Sequence, residues 1–115
     1  MVVAYNLYQQ DEEVHVVDEN GRRFEAVEFR EPALRPGERP ADPIETSLGR
    51  FELEADAVNV ARAAWRGFRQ NPNRDVAWWL VRADGEDLAR WIAESRSDVE
   101  RVLDLTTRQL VVLRK

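Results

Sequence analysis

The sequence contains no cysteine and only one histidine, His15. A chain without cysteine forms no disulfide, offers no thiolate nucleophile and holds no cysteine-ligated metal. One histidine also excludes a metal site built from several histidines of a single chain. The sequence further lacks a Gly-x-Ser-x-Gly elbow, a Gly-x-x-x-x-Gly-Lys phosphate loop, a dinucleotide-binding glycine pattern and a His-Glu-x-x-His motif. We therefore expect no cofactor and no metal, and no catalytic residue is assigned.

Long apolar runs are absent as well. The longest uninterrupted one, residues 76–81, is far shorter than the ~20 residues that span a bilayer. The N-terminus lacks the basic region of a secretory signal, so a cytoplasmic location without a membrane is expected. The net charge is −5, whereas nucleic-acid-binding domains usually carry a positive balance, so nucleic acid is not expected as a partner.

The composition fits one globular domain over residues 1–115. Apolar residues make up 43% and charged residues 34% of the chain, and a chain of this length can bury a sizeable core. The class expected is α+β, with an antiparallel or mixed sheet of about five to six strands and two helices. The order expected along the chain is β-β-β, a long Pro-rich loop, then β-α-β-α-β-β.

Apolar periodicity gives the bounds of these elements. Strands are predicted at residues 2–9, 13–18, 22–30, 50–54, 74–82, 99–105 and 109–113. Helices are predicted at 56–70 and 86–95, where apolar residues recur every three or four positions. For the second helix the alternative is a strand at 87–93, joined to the preceding strand by a turn at Asp84 and Gly85.

The third predicted strand follows an Asn-Gly pair at 20–21, which is a strong hairpin signal. Its apolar residues change phase between Ala26 and Val27. This change predicts either that both faces of the strand are partly covered or that a β-bulge lies near Ala26.

Four of the five prolines fall within residues 31–48, which predicts a long loop without regular structure because proline fixes φ and cannot donate to a ladder. Stiff segments lose little entropy when a partner binds. Leu34, Arg35 and Arg39 are therefore candidate partner-binding residues. The plainer interpretation is a surface connection.

Trp78 and Trp79 are adjacent on a predicted strand, so their side chains must point to opposite faces of the sheet. One indole is expected in the core against the helix at 56–70. The other either packs under a second layer or marks a binding surface, since tryptophan is enriched at interface hot spots. Trp65 and Trp91 are expected in the core.

Arg62, Arg66 and Arg69 form a stripe at helical spacing, opposite the apolar residues of the same helix. Such a stripe could contact an acidic partner. The simpler interpretation is a solvated helix face, which predicts that the three arginines are more exposed than the apolar stripe.

These features favour a non-enzymatic protein-binding domain that acts through an exposed aromatic surface and the Pro-rich loop. Small acidic proteins of bacteria and phages with this character include inhibitors, immunity proteins and assembly subunits, by analogy of class only. The partner would be another protein or a second copy of the chain. The alternative is a small-ligand binder or enzyme with a Trp-lined pocket and carboxylates at its rim, and the sequence leaves enzyme activity undecided.

Overall fold

A computed structural model of the chain describes residues 21–70 and 74–114. The strands predicted at 2–9 and 13–18, together with His15, lie outside the described residues. The described part contains one helix and six strands. These are β1 (Phe24–Glu31), β2 (Ile44–Phe51), α1 (Glu54–Gln70), β3 (Val76–Ala83), β4 (Trp91–Glu94), β5 (Arg101–Asp104) and β6 (Gln109–Val112).

The six strands form one sheet in the order β2-β1-β3-β4-β5-β6. Every neighbouring pair is antiparallel, so the described sheet is antiparallel rather than mixed. The α+β class is confirmed, but the predicted element order and the second helix are wrong.

The helix predicted at 86–95 is instead a turn followed by β4. Trp91 and Ala93 are buried on one face, while Ile92 and Glu94 lie on the other, and this alternation is that of a strand. The turn begins after β3, where Gly85 has a φ of +73° that suits glycine. Pairing with β3 satisfies the backbone hydrogen-bonding groups of β4, which lies in the interior of the sheet. This gain outweighs the helical spacing of the apolar residues. The alternative strand at 87–93 was closer to the structure.

The Pro-rich loop is shorter than predicted, and the strand expected at 50–54 is wrong. β2 begins directly after Pro43 and pairs with β1 from Ile44 onwards. The residues without regular structure are therefore 32–43. Once proline is absent, the β-branched side chains of Ile44 and Thr46 favour a strand.

A bulge lies near Ala26 but on β2, and β1 pairs with β3 without a shift of register, so the change of phase follows from the other predicted explanation, cover on both faces of β1. Ala26 pairs with Gly49, whereas Val27 pairs with Ser47, so Leu48 is the additional residue and belongs to β2. Gly49 has a φ of +131°, and a Cβ there would lie 3.1 Å from the Phe51 ring. Ala26 and Val27 are both fully buried on opposite faces of β1.

Helix α1 starts two residues before the predicted bound and ends where predicted. Its buried stripe consists of Ala57, Ala61 and Trp65, and the two small alanines let the helix lie close to the sheet. The helix packs on β1, β2, β3 and β4. The core lies between α1 and these four strands, and the β5–β6 hairpin extends beyond it.

Candidate functional site

The two adjacent tryptophans of β3 lie on different faces of the sheet, as predicted. Trp79 has no exposed surface and its ring meets Phe68 of α1 edge-on, with centroids 5.5 Å apart. Trp78 is half-buried on the face away from α1. It stacks on Phe29, with centroids 5.4 Å apart and planes within 8°. Trp79 therefore belongs to the core, which corrects its candidacy as a partner-binding residue.

Each buried indole donates its N–H to a glutamate. Trp79 donates to the Glu28 carboxylate at 3.0 Å, and Trp91 donates to the Glu100 carboxylate at 2.8 Å. Trp65 donates to the backbone carbonyl of Glu94 at 2.9 Å. The predicted burial of Trp65 and Trp91 is confirmed, although Trp91 lies on a strand. These acceptors remove the cost of burying an indole N–H without a partner.

A cavity of about 1060 Å³ lies between the Pro-rich loop and the ends of β1 and β3. Prolines and Leu34 give it an apolar wall, and Arg39 also lines it from the loop. Arg74 and Val76 line it at the start of β3, and Arg96 lines it from the segment that follows β4.

A smaller cavity of about 280 Å³ lies against Trp78 and Ile92 on the face of the sheet away from α1. Val76 and Arg96 line both this cavity and the larger one. The two therefore adjoin. We call the combined depression the Trp78–loop groove, defined by Leu34, Arg39, Arg74, Val76, Trp78 and Arg96.

The loop wall of the groove is held in shape by hydrogen bonds. The Ala33 N–H donates to the Asp75 carboxylate at 2.9 Å, which ties the loop to the start of β3. A turn follows, in which the Glu38 N–H donates to the Arg35 carbonyl at 3.0 Å. Gly37 has a φ of +86° there, as the third residue of a type II turn requires. The turn directs Leu34 outward, with 55% of its surface exposed.

Cations outnumber carboxylates in the larger cavity. Arg39, Arg74 and Arg96 are exposed, and none of them forms an ion pair or side-chain hydrogen bond with another described residue. Glu31 and Glu38 also line the cavity, and Glu38 accepts a hydrogen bond from the Arg35 N–H at 2.7 Å. The described residues that line the cavity thus carry a net positive charge in a chain of net charge −5.

The arginine stripe of α1 serves partly to hold a buried carboxylate. Arg62 donates two hydrogen bonds to Glu100, at 2.9 and 2.7 Å, and only 8% of that carboxylate side chain is exposed. Arg66 lies 3.9 Å from the same carboxylate and its side chain is 55% exposed. Arg69 donates to the carbonyl of Ser97. Arg66 and Arg69 are exposed as predicted, whereas Arg62 is half-buried.

Burial and hydrogen bonding act in opposite directions on the pKa of Glu100. Burial raises its pKa, but hydrogen bonds from Arg62 and Trp91 lower it, and the charges of Arg62 and Arg66 add to that effect. The result is a pKa below the usual range for glutamate. The carboxylate is therefore ionised at neutral pH and holds the guanidinium of α1 against β4.

Of the predicted partner-binding residues, Leu34, Arg39 and Trp78 come together in the groove. Arg35 lies in the loop turn without lining the groove, and the arginines of α1 do not line it. Sequence reasoning missed Arg74, Val76 and Arg96. The predicted alternative of a strand at residues 87–93 could have placed Arg96 at the groove. A β3–β4 hairpin brings the end of β4 beside the start of β3.

Comparison of the chain with family models, curated proteins and solved structures gives no match. Within residues 21–70 and 74–114, no three acidic or histidine side chains are grouped in a way that could hold a metal ion. Helix α1 is not long and apolar enough to cross a membrane.

Proposed function

We propose that this chain is a non-enzymatic protein-binding domain that holds an extended segment of a partner protein in the Trp78–loop groove. The observation that carries the proposal is the continuity of the two cavities, which share Val76 and Arg96. An open groove suits a polypeptide segment that enters and leaves at its ends. A cytoplasmic location is part of the same proposal, because the chain has no cysteine to stabilise it by disulfides.

The apolar side chains of the groove supply the contact area. Leu34 is exposed on the loop, and Trp78 is held flat against Phe29 at the other end. A held aromatic ring loses little conformational freedom when a partner covers it, which is typical of hot-spot residues. The prolines of the loop reduce the entropy lost on binding in the same way.

The arginines of the groove define the chemistry of the partner segment. Because Arg39, Arg74 and Arg96 have no ion-pair partner among the described residues, an acidic side chain or a C-terminal carboxylate would supply one. Guanidinium groups bind carboxylates with paired hydrogen bonds. The segment expected is therefore extended, with apolar side chains and at least one carboxylate.

The test is a selection of extended peptides on the wild-type chain, followed by titration of the selected peptides. Leu34→Ala and Trp78→Ala should each weaken binding about tenfold or more, as hot-spot truncations do. Leu53→Ala is the matched control, since Leu53 is 61% exposed at the start of α1. Arg39→Ala and Arg96→Ala should also weaken binding. Arg66→Ala, which changes an exposed arginine outside the groove, is their control. Peptides that bind all variants equally would contradict the proposal.

A small anionic ligand is the second candidate, and the cavity beside Trp78 is the observation that favours it. Its volume of about 280 Å³ lies near the lower end of small-molecule pockets, which begin at ~300 Å³, and Glu94 is at its rim. In a thermal-shift screen of small carboxylates and phosphates, stabilisation that Trp78→Ala removes would favour this candidate if no selected peptide binds the groove.

A further inference from the structure

Of the described residues, the longest exposed apolar run is at the outer edge of the sheet, in and after β6. Leu110, Val111, Val112 and Leu113 are consecutive and 38–43% exposed. All four residues of β6 are exposed. No described strand pairs with the outer side of β6.

The backbone of β6 presents hydrogen-bonding groups to that outer side. The Leu113 N–H donates to the Glu100 carbonyl at 2.8 Å, continuing the β5–β6 ladder. Because hydrogen-bonding direction alternates along an antiparallel strand, Val111 also faces β5. Leu110 and Val112 therefore direct their N–H and C=O groups away from the sheet.

The opposite edge of the same sheet is protected in ways that β6 is not. β2 carries the bulge at Leu48, and Glu45 on that strand binds Arg82 at 2.8 Å. Bulges and charged side chains are devices that keep a sheet edge from pairing with other chains. β6 has neither a bulge nor a charged residue within its four residues.

Positive charge surrounds the β6 edge. Arg108 precedes the strand and Arg114 follows its apolar run, while Arg101 lies opposite Val112 on β5. All three are exposed, and none forms an ion pair within 4 Å with another described residue, although the charge of Arg108 helps to lower the pKa of Glu86. In a symmetric pairing of Leu110 with Val112 of a second copy, Arg108 would lie opposite Arg114. Like charges placed opposite each other destabilise a strand pair, so charge disfavours this register of self-pairing, whereas it favours an acidic partner in any register.

We propose that the outer edge of β6 binds an extended segment of a partner protein whose apolar residues are flanked by acidic residues. The segment adds a strand to the sheet, with hydrogen bonds to Leu110 and Val112. Its acidic residues meet Arg108 and Arg114. This surface is distinct from the Trp78–loop groove, and the proposal does not depend on the function proposed for the groove.

The test uses a fluorescein-labelled peptide, Asp-Glu-Val-Thr-Val-Thr-Val-Glu-Asp, titrated with the full chain. Val112→Pro removes an outward N–H without removing a β5–β6 hydrogen bond, as proline at a sheet edge allows. Val112→Pro and the double variant Arg108→Glu with Arg114→Glu should each bind about tenfold more weakly. Because the groove could also bind this peptide, each β6 variant is compared with its parent in a chain that already carries Trp78→Ala and Arg39→Glu, and the tenfold losses should persist there.

Comparison peptides separate the two parts of the proposal. A peptide with Lys and Arg at its ends tests charge, and one with N-methylated valines tests the backbone hydrogen bonds. Both should bind about tenfold more weakly than the acidic peptide. If Val112→Pro loses the near-ultraviolet circular dichroism of the fold, the double charge variant decides.

Several results would overturn the proposal. These are no binding of the acidic peptide at about 1 mM, equal binding of the basic peptide, and binding unchanged in the double charge variant. Dimerisation of the chain in sedimentation experiments that Val112→Pro abolishes would also overturn it, because the occupant would then be a second copy.

Discussion

The four strands covered by α1 and the β5–β6 hairpin beyond it differ in how much of their surface is buried. Under the helix, β1, β3 and β4 contribute fully buried residues such as Trp79 and Trp91, and β2 contributes the partly buried Leu48 and Phe51. In the hairpin, all four residues of β6 are exposed. The covered strands thus hold most of the buried apolar surface, which is the main source of stability. The surfaces that we propose for binding lie outside the core between α1 and these strands.

Glu100 joins the two regions. It lies directly before β5 and is the one buried charged residue of the described chain. Its carboxylate accepts hydrogen bonds from Arg62 of α1 and Trp91 of β4. The start of the hairpin is therefore fixed to the covered region by this side chain as well as by the β4–β5 pairing.

The largest effect on stability is expected at Trp79. Trp79→Ala should lower the free energy of unfolding by ~3–5 kcal/mol, because it leaves a cavity beside α1 and removes the indole donor of Glu28. Urea denaturation followed by circular dichroism measures this change. Trp79→Phe provides a folded variant if the alanine variant does not fold. A loss below about 1 kcal/mol would show that the core does not depend on this face of β3.

Glu100→Ala is expected to lower the free energy of unfolding nearly as much as Trp79→Ala. It leaves the Arg62 guanidinium and the Trp91 N–H without their acceptor, and removing one partner of a buried ion pair typically costs ~3–5 kcal/mol. The lower end of that range is expected, because the Arg62 side chain is 25% exposed. Glu100→Gln keeps an acceptor and should lose less. Equal losses in the two variants would contradict the role of the hydrogen bonds.

The same carboxylate should make stability depend on pH. The pKa of Glu100 is lower in the folded chain than its ordinary value. Its contribution is therefore complete above the ordinary glutamate range and is lost as pH falls through the folded pKa. Between about pH 7 and pH 3, wild type should lose more stability than Glu100→Gln. Parallel curves of unfolding free energy against pH for the two chains would refute this.

Trp78→Ala is the matched counterpart of Trp79→Ala on the other face of β3. It loses the stacking on Phe29, and aromatic pairs contribute ~0.5–1.5 kcal/mol beyond their buried area. A loss of about 2 kcal/mol, clearly less than that of Trp79→Ala, is expected because Trp78 is only half-buried. Losses of the same size at both positions would remove the distinction between a core face and a binding face.

The smallest effect is expected at the edge of the hairpin. Val112→Thr should change the unfolding free energy by less than about 0.5 kcal/mol, as exposed positions usually do. The buried comparison on the adjoining strand is Leu103→Ala, which should cost more because Leu103 is 9% exposed. Thermal unfolding of the two variants checks this order.

Short-range signals in the sequence predicted much of the fold. The helix, the strand containing Trp78 and Trp79, and the two C-terminal strands follow from periodicity and lie close to their predicted bounds. The burial of both faces of β1 was visible as a change of phase between Ala26 and Val27. The segment at 86–95 was mistaken for a helix because Leu88, Trp91 and Ile92 fit helical spacing equally well. Pairing with β3, which is a tertiary interaction, decides between the two.

The candidate site was predictable only in part. Leu34, Arg39 and Trp78 follow from local composition and strand alternation. Their proximity depends on the β1–β3 pairing and on the hydrogen bond between Ala33 and Asp75, which are 42 positions apart. No short motif encodes such a contact. The arginine stripe was recognised, but the role of Arg62 depends on Glu100 from a distant segment.

The separation of a core indole from a binding indole on β3 can be measured directly by fluorine NMR with 5-fluorotryptophan in the full chain. Single Trp→Phe variants assign the four indole signals. Adding a peptide selected on the Trp78–loop groove should move the Trp78 signal and leave those of Trp79 and Trp91 in place, because only Trp78 lines the groove. Binding of the peptide with an unchanged Trp78 signal would contradict the account.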